Sequence, residues 1–172
     1  MTNSDIIEEY PWVNNLLPGL AYYASQSPVK YFRHGSVLVK SGKPVSYGFN
    51  KVSGGKTYHA EHSVIRSYLQ KCGLVDYVTN IVIYGTYYTK KKHSVIRAPP
   101  NVKRILSKLD LIVVRWNGSK FCLSKPCKHC IELLKAMGIK RVFYTNDDGY
   151  IVKEKISTIT SDHVCMMRRP IG

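Results

Sequence analysis

Acidic residues are scarce in this chain. Eleven Asp and Glu stand against 26 Lys and Arg in 172 residues, a formal charge of +15. Between Asp76 and Asp110 there is no carboxylate at all. So lopsided a balance points away from basic partners and toward a polyanionic one, nucleic acid above all. Long apolar runs are missing too. None approaches the ~20 residues of a membrane-spanning helix, and Asp5, Glu8 and Glu9 stand where a secretory signal would be basic and then apolar. The expectation is an intracellular protein that meets no membrane. Cysteine is sparse, 5 in all, and two of the five share one CxxC, unlike the disulfide framework of a small secreted domain. Neither an internal repeat nor a low-complexity tract is present, which excludes a solenoid.

What is present suits one domain with a full core: 44% of residues are hydrophobic, an ordinary share for a globular chain. Residues 1–16 mix acids with Tyr10, Pro11 and Trp12 and read as an N-terminal extension packing through its aromatics. Pro18 opens a helix through Leu20, Ala21, Tyr22 and Ala24. A strand at Val37 to Val39, a turn at Ser41-Gly42-Lys43-Pro44 and an antiparallel partner at Val45 to Phe49 follow. Leu111 to Trp116 is a nearly continuous apolar run, the mark of a central strand covered on both faces. Arg141 to Thr145 and Tyr150 to Ile156 read as two more strands around an Asn146-Asp147-Asp148-Gly149 turn. Strands alternating with helices predict an α/β fold, a mixed sheet with helices on both faces.

Two short runs carry the chemistry: His59-Ala60-Glu61 and Pro126-Cys127-Lys128-His129-Cys130. One imidazole and two thiolates supply three zinc ligands and leave a fourth position for water. A structural zinc is more often closed by a fourth protein ligand, so an open set beside a glutamate points to chemistry. Cys127 and Cys130, three apart, share one face of a helical turn that Pro126 starts and Ile131, Leu133, Leu134 and Met137 continue. Thiolates at a helix N-terminus sit in the positive end of the dipole, which lowers their pKa. His59 and Glu61 also open a helix, leading into Val64, Ile65, Tyr68 and Leu69. A reduced CxxC in the core and a surface histidine are the plainer reading of either run alone. His62 and His129 read as surface histidines, and His163 with Cys165 are too few for a second metal site. Ser53-Gly54-Gly55-Lys56 lacks the spacing of a P-loop.

From Leu74 to Leu109 the pattern is weak; Val78 to Tyr84 suits a strand or a helix continuation. Lys90, Lys91, Lys92, Arg97, Lys103 and Arg104 fall in this stretch with Tyr87 and Tyr88 beside the lysines. Cations for phosphates and aromatic faces for bases are what a single strand of nucleic acid requires. A solvated basic loop is the alternative. The organisation expected is thus an extension at 1–16, a main domain at 17–160 with a basic insertion at about 74–109, and a tail at 161–172.

The order of these motifs resembles the cytidine deaminase superfamily in its HxE…PCxxC branch. Supporting the zinc motifs are HGSVLVKSGKPVSYGFN, the strand before the cysteines and GIKRVFYTND after them. SKPCKHC…GIKRVFYT is also similar to deaminase-like proteins of large DNA viruses. The resemblance implies a three-layer αβα sandwich around a five-stranded mixed sheet, with Zn2+ between two helix N-termini. It implies His59, Cys127 and Cys130 as ligands, Glu61 as proton shuttle and Asn50 as a substrate contact. It implies a zinc-dependent hydrolytic deaminase of a cytosine- or adenine-type base in a nucleotide or nucleic acid. A catalytically silent relative that binds nucleic acid or joins an assembly such as a virion is the alternative, and a homo-oligomer is compatible with either.

Overall fold

The computed structural model describes residues 9–53, 56–74 and 98–161. Lys90, Lys91, Lys92, Arg97, Tyr87, Tyr88 and the Val78–Tyr84 segment lie outside them, as do His163 and Cys165.

The elements in chain order are α1 (Pro11–Asn14), α2 (Leu17–Ser25), β1 (His34–Lys40), β2 (Lys43–Phe49), β3 (Lys51–Ser53), β4 (Lys56–Tyr58) and α3 (Ala60–Lys71). Then come α4 (Pro100–Leu106), β5 (Asp110–Trp116), β6 (Phe121–Cys122), α5 (Lys128–Met137), β7 (Arg141–Thr145) and β8 (Ile151–Lys155). The main sheet runs β2-β1-β5-β7-β8, with β6 pairing off β5. Five strands in line match the expected mixed sheet, and the two-residue β6 adds a sixth. Among the described strands β5 and β7 pair in parallel, because α5 carries the chain back between them. Tight turns join the antiparallel pairs β1–β2 and β7–β8, and β1 meets β5 antiparallel across a long interval.

The period of two along each strand builds two cores. Leu38, Leu111, Val113, Val142 and Tyr144 face one side, where α3, α4 and α5 pack with Val64, Ile65, Leu69, Val102, Leu106, Leu133, Leu134 and Met137. Val37, Val39, Ile112, Val114 and Phe143 face the other, covered by Val13 and Leu20 of α1 and α2. This is the αβα layering that the alternation predicts. The N-terminal aromatics close the second face: Tyr10 and Trp12 meet Phe143 edge-on, with centroids 5.3 and 5.1 Å apart.

Part of the weakly patterned stretch also joins the core. Pro100 opens α4, whose Val102 and Leu106 are fully buried. Lys103 and Arg104 stand on its exposed side. Where α3 crosses β2 only a glycine fits: a Cβ on Gly48 would stand 2.7 Å from the Val64 nitrogen. Among the described residues no helix is long and apolar enough to cross a membrane.

Candidate metal centre

α3 and α5 begin at the same place. His59 is the N-cap of α3 and Cys127 the N-cap of α5, both in extended backbone, so each helix starts immediately beyond a candidate ligand. Cys130 sits one turn into α5. The His59 Nδ1 lies 3.1 Å from the Cys130 Sγ and 3.7 Å from the Cys127 Sγ. All three donor atoms fall within 4.8 Å of one another, and all three residues are buried.

Two beams hold the helix starts against the sheet. Ser36 of β1 donates its hydroxyl to the Ala60 carbonyl at 2.7 Å, pinning the first turn of α3. Below the cysteine loop, the Ser124 hydroxyl accepts the Thr145 N–H at 2.8 Å and reaches the Val113 carbonyl and Thr145 Oγ1, each at 2.8 Å. Thr145 Oγ1 donates in turn to the Cys122 carbonyl at 2.5 Å. This lattice fastens the loop before Cys127 to the carboxyl ends of β5 and β7, where α/β sheets place their ligands.

The donor set fits zinc. Ligand atoms about 2.0–2.3 Å from a tetrahedral ion stand roughly 3.5–3.8 Å apart, and the observed separations of 3.1 and 3.7 Å need little adjustment. The thiols are prepared for a cation. The Cys127 thiol is drawn down to about 3, first by its hydrogen bond with Cys130 and then by His59, against the opposing effect of burial. Glu61, in the first turn of α3 and 4% exposed, behaves oppositely. Burial pushes its carboxyl upward, while His59 pulls it down and Cys130 hydrogen-bonds it. A carboxyl whose pKa is raised in this way is suited to taking up a proton and giving it on.

Asn50 is nearly enclosed, at 1% exposure. Its Oδ1 accepts the His34 N–H at 2.9 Å and its Nδ2 donates to the Phe32 carbonyl at 2.6 Å. It therefore clamps the segment leading into β1, and one lone pair and one N–H of its amide remain. His62 departs from the surface reading: it is fully buried, its Nδ1 3.9 Å from the Cys130 Sγ, because the first turn of α3 lies against the sheet. Ser124, Thr145, His34 and Arg115 also belong to the centre or its rim. The order of motifs alone did not single them out, since strand pairing brings them there.

The chain matches the family model for the cytidine and deoxycytidylate deaminase zinc-binding region over residues 15–146. It belongs to that family. Its cofactor is accordingly Zn2+, consistent with the His59, Cys127 and Cys130 cluster. Among solved structures, the cytidine deaminase from Burkholderia pseudomallei is 17% identical with a TM-score of 0.54, over 88% of this chain and 98% of that one. The likeness shows the shared fold. The dCMP deaminase from the cyanophage S-TIM5 is 15% identical, TM-score 0.47, over 81% of this chain and 86% of that one. A diaminohydroxyphosphoribosylaminopyrimidine deaminase and 5-amino-6-(5-phosphoribosylamino)uracil reductase from Thermotoga maritima is 21% identical, TM-score 0.46, over 80% of this chain and 30% of that one. No curated protein matches the chain in sequence.

Proposed function

We propose that this member of the deaminase family is a hydrolytic deaminase of a cytosine- or adenine-type base carried in a nucleotide or nucleic acid. The observation that carries the reading is the buried three-donor cluster with Glu61 hydrogen-bonded to one of its thiols. His59, Cys127 and Cys130 would hold the ion, which supplies an acidified water as nucleophile when bound.

The remaining work falls to Glu61. Water adds across the ring C=N bond at the amino-bearing carbon. The Glu61 carboxylate takes the water's first proton and delivers it to the ring nitrogen. It then takes the second proton from the added hydroxyl and hands it to the amino group, which leaves as ammonia while the carbonyl forms. One carboxyl serves as base and acid in turn, a task suited to a group whose pKa burial has raised. In this reading the free half of the Asn50 amide would meet the sugar or base edge, while its other half keeps the segment at Phe32 to His34 in position.

Ammonia release on nucleosides, nucleotides and single-stranded oligonucleotides tests this directly. Glu61→Gln should keep zinc at one equivalent and lose at least about 100-fold in rate, the usual worth of a positioned acid–base group. A variant as active as the parent would remove Glu61 from the mechanism. The formal charge of +15 favours a second reading: a catalytically silent member that binds nucleic acid, alone or as part of a homo-oligomer or virion-like assembly. Affinity for single strands that falls steeply with salt, without ammonia on any substrate, would select it.

A further inference from the structure

The centre is built on two helix starts, but its rim comes from the sheet. His34 opens β1, and Arg115, near the end of β5, is its cross-strand partner. Alternation sets His34 with Ser36 and Leu38, and Arg115 with Val113 and Leu111, toward the layer that holds α3 and α5. The His34 ring lies near enough to the centre to be acted on by the charges of His59 and Cys127, and Arg115 acts on it as well. Its Nδ1 stands 3.0 Å from the Phe32 carbonyl. A carbonyl only accepts, so Nδ1 carries the proton and Nε2 is left as an acceptor. Burial supports that tautomer by holding the ring neutral, with its pKa drawn from 6.5 down to about 4.

Arg115 is held in a fixed pose. Its Nη2 donates to the Tyr31 carbonyl at 3.3 Å, and its guanidinium lies over the Phe32 ring, 4.8 Å from the centroid. The ion pairs among the described residues are Lys125 with Glu154 and Arg141 with Asp110, so neither takes up Arg115. Its Nε is buried without a hydrogen-bond partner. Tyr31, beside Phe32, is 74% exposed. A guanidinium fixed by a ring and a carbonyl, with its other N–H groups unspent, matches the planar, bidentate geometry of phosphate. Little ordering entropy remains to be lost when an anion arrives.

We propose that Arg115 is the phosphate subsite of this centre, with His34 Nε2 accepting a hydrogen bond from the sugar or base beside it. The substrate is then a phosphorylated one, a nucleotide or a nucleic acid strand, and a free nucleoside is a poor ligand. The inference rests on the deaminase reading for what lies at the metal, but its test does not need turnover.

Zinc-loaded Glu61→Gln protein is titrated calorimetrically with dCMP, deoxycytidine, dAMP, deoxyadenosine and a short mixed-sequence single-stranded DNA. The phosphorylated member of at least one pair should bind at least about 10-fold more tightly than its nucleoside, the worth of one charge-assisted hydrogen bond. Adding Arg115→Ala should weaken the phosphorylated probes about 10- to 100-fold and change the nucleosides less than about twofold. Arg115→Lys should recover part of the loss, because charge returns without the fork. Lys155→Ala, at the exposed far edge of the sheet, removes the same charge elsewhere and should leave binding unchanged. Tight dCMP or dAMP assigns the phosphate to a free nucleotide; tight binding of the strand alone assigns it to a polymer. Equal loss for nucleoside and nucleotide, equal loss in Lys155→Ala, or no phosphate preference in the parent would overturn the subsite. Absence of ammonia from the Glu61-bearing protein would instead overturn the deaminase reading, leaving a phosphate preference intact.

Discussion

Ser124→Ala removes a single oxygen from the lattice beneath the cysteine loop, and its cost can be worked from the contacts. That oxygen accepts the Thr145 N–H at 2.8 Å and donates toward the Val113 carbonyl or Thr145 Oγ1. Ser124 and Thr145 are 2% and 0% exposed, so water does not reach the groups left behind. Losing the donated bond costs about 0.5–1.5 kcal/mol, and stranding a buried N–H costs about 1–3 kcal/mol. Only one atom is deleted, so the cavity adds little. The expected destabilisation is about 3 kcal/mol, read as a lower urea midpoint at unchanged slope. In a chain of this size that corresponds to a Tm about 6–12 °C lower. Thr145→Val breaks the same lattice from the other side, so the double variant should cost less than the sum of the two, with a coupling above about 0.5 kcal/mol. A Ser124→Ala protein within about 0.5 kcal/mol of the parent, or strict additivity with Thr145→Val, would show that the lattice does not hold the loop.

Gly48→Ala would place a Cβ against the backbone of Val64, which cannot give way without moving α3. We expect a loss of about 1–3 kcal/mol, accompanied by weaker zinc retention in a competition with a chromogenic chelator, because α3 carries His59. Unchanged retention in a folded variant would uncouple the helix from the centre. His34 makes the protein sensitive to mild acid. The unfolded chain takes up a proton there near 6.5 and the folded one only near 4, so the unfolded state binds more protons in between. Stability due to the neutral ring is full above 6.5 and is lost as pH falls toward 4. His34→Gln should therefore flatten the pH–stability profile of the metal-free protein in that window, and profiles that run parallel through it would refute the assignment.

Much of the fold was legible because the central strands are short apolar runs that sit between clear turns. Leu111 to Trp116 reads as a central strand from its apolar run alone, and Gly138 marks the end of α5 with the left-handed conformation expected of it. The metal motifs were legible as well, since each lies within one helical turn. The rest depends on pairing at long range. Ser124 meets Thr145, and His34 meets Arg115, only once the register of β1, β5 and β7 is set. α4 was obscured for another reason: Lys103 and Arg104 sit between Val102 and Leu106, and their charge hides a two-residue apolar face that Pro100 in fact announces. β6 is too short to carry a pattern.

The two helix starts at the centre have a consequence for how the chain can change. A helix N-cap is normally Ser, Thr, Asp or Asn, whose side chain satisfies a free N–H, and such a cap contributes about 1 kcal/mol. His59 and Cys127 occupy both caps and make no such bond. The metal-free fold therefore forgoes about 1 kcal/mol at each of these positions. Cys127→Ser should make the metal-free protein more stable, by up to the worth of one cap, while weakening its hold on zinc. A lineage released from binding metal would gain by drifting toward such a cap. Imidazole and thiolate at these caps are what a chain carries when the centre, more than the helices, sets the residue.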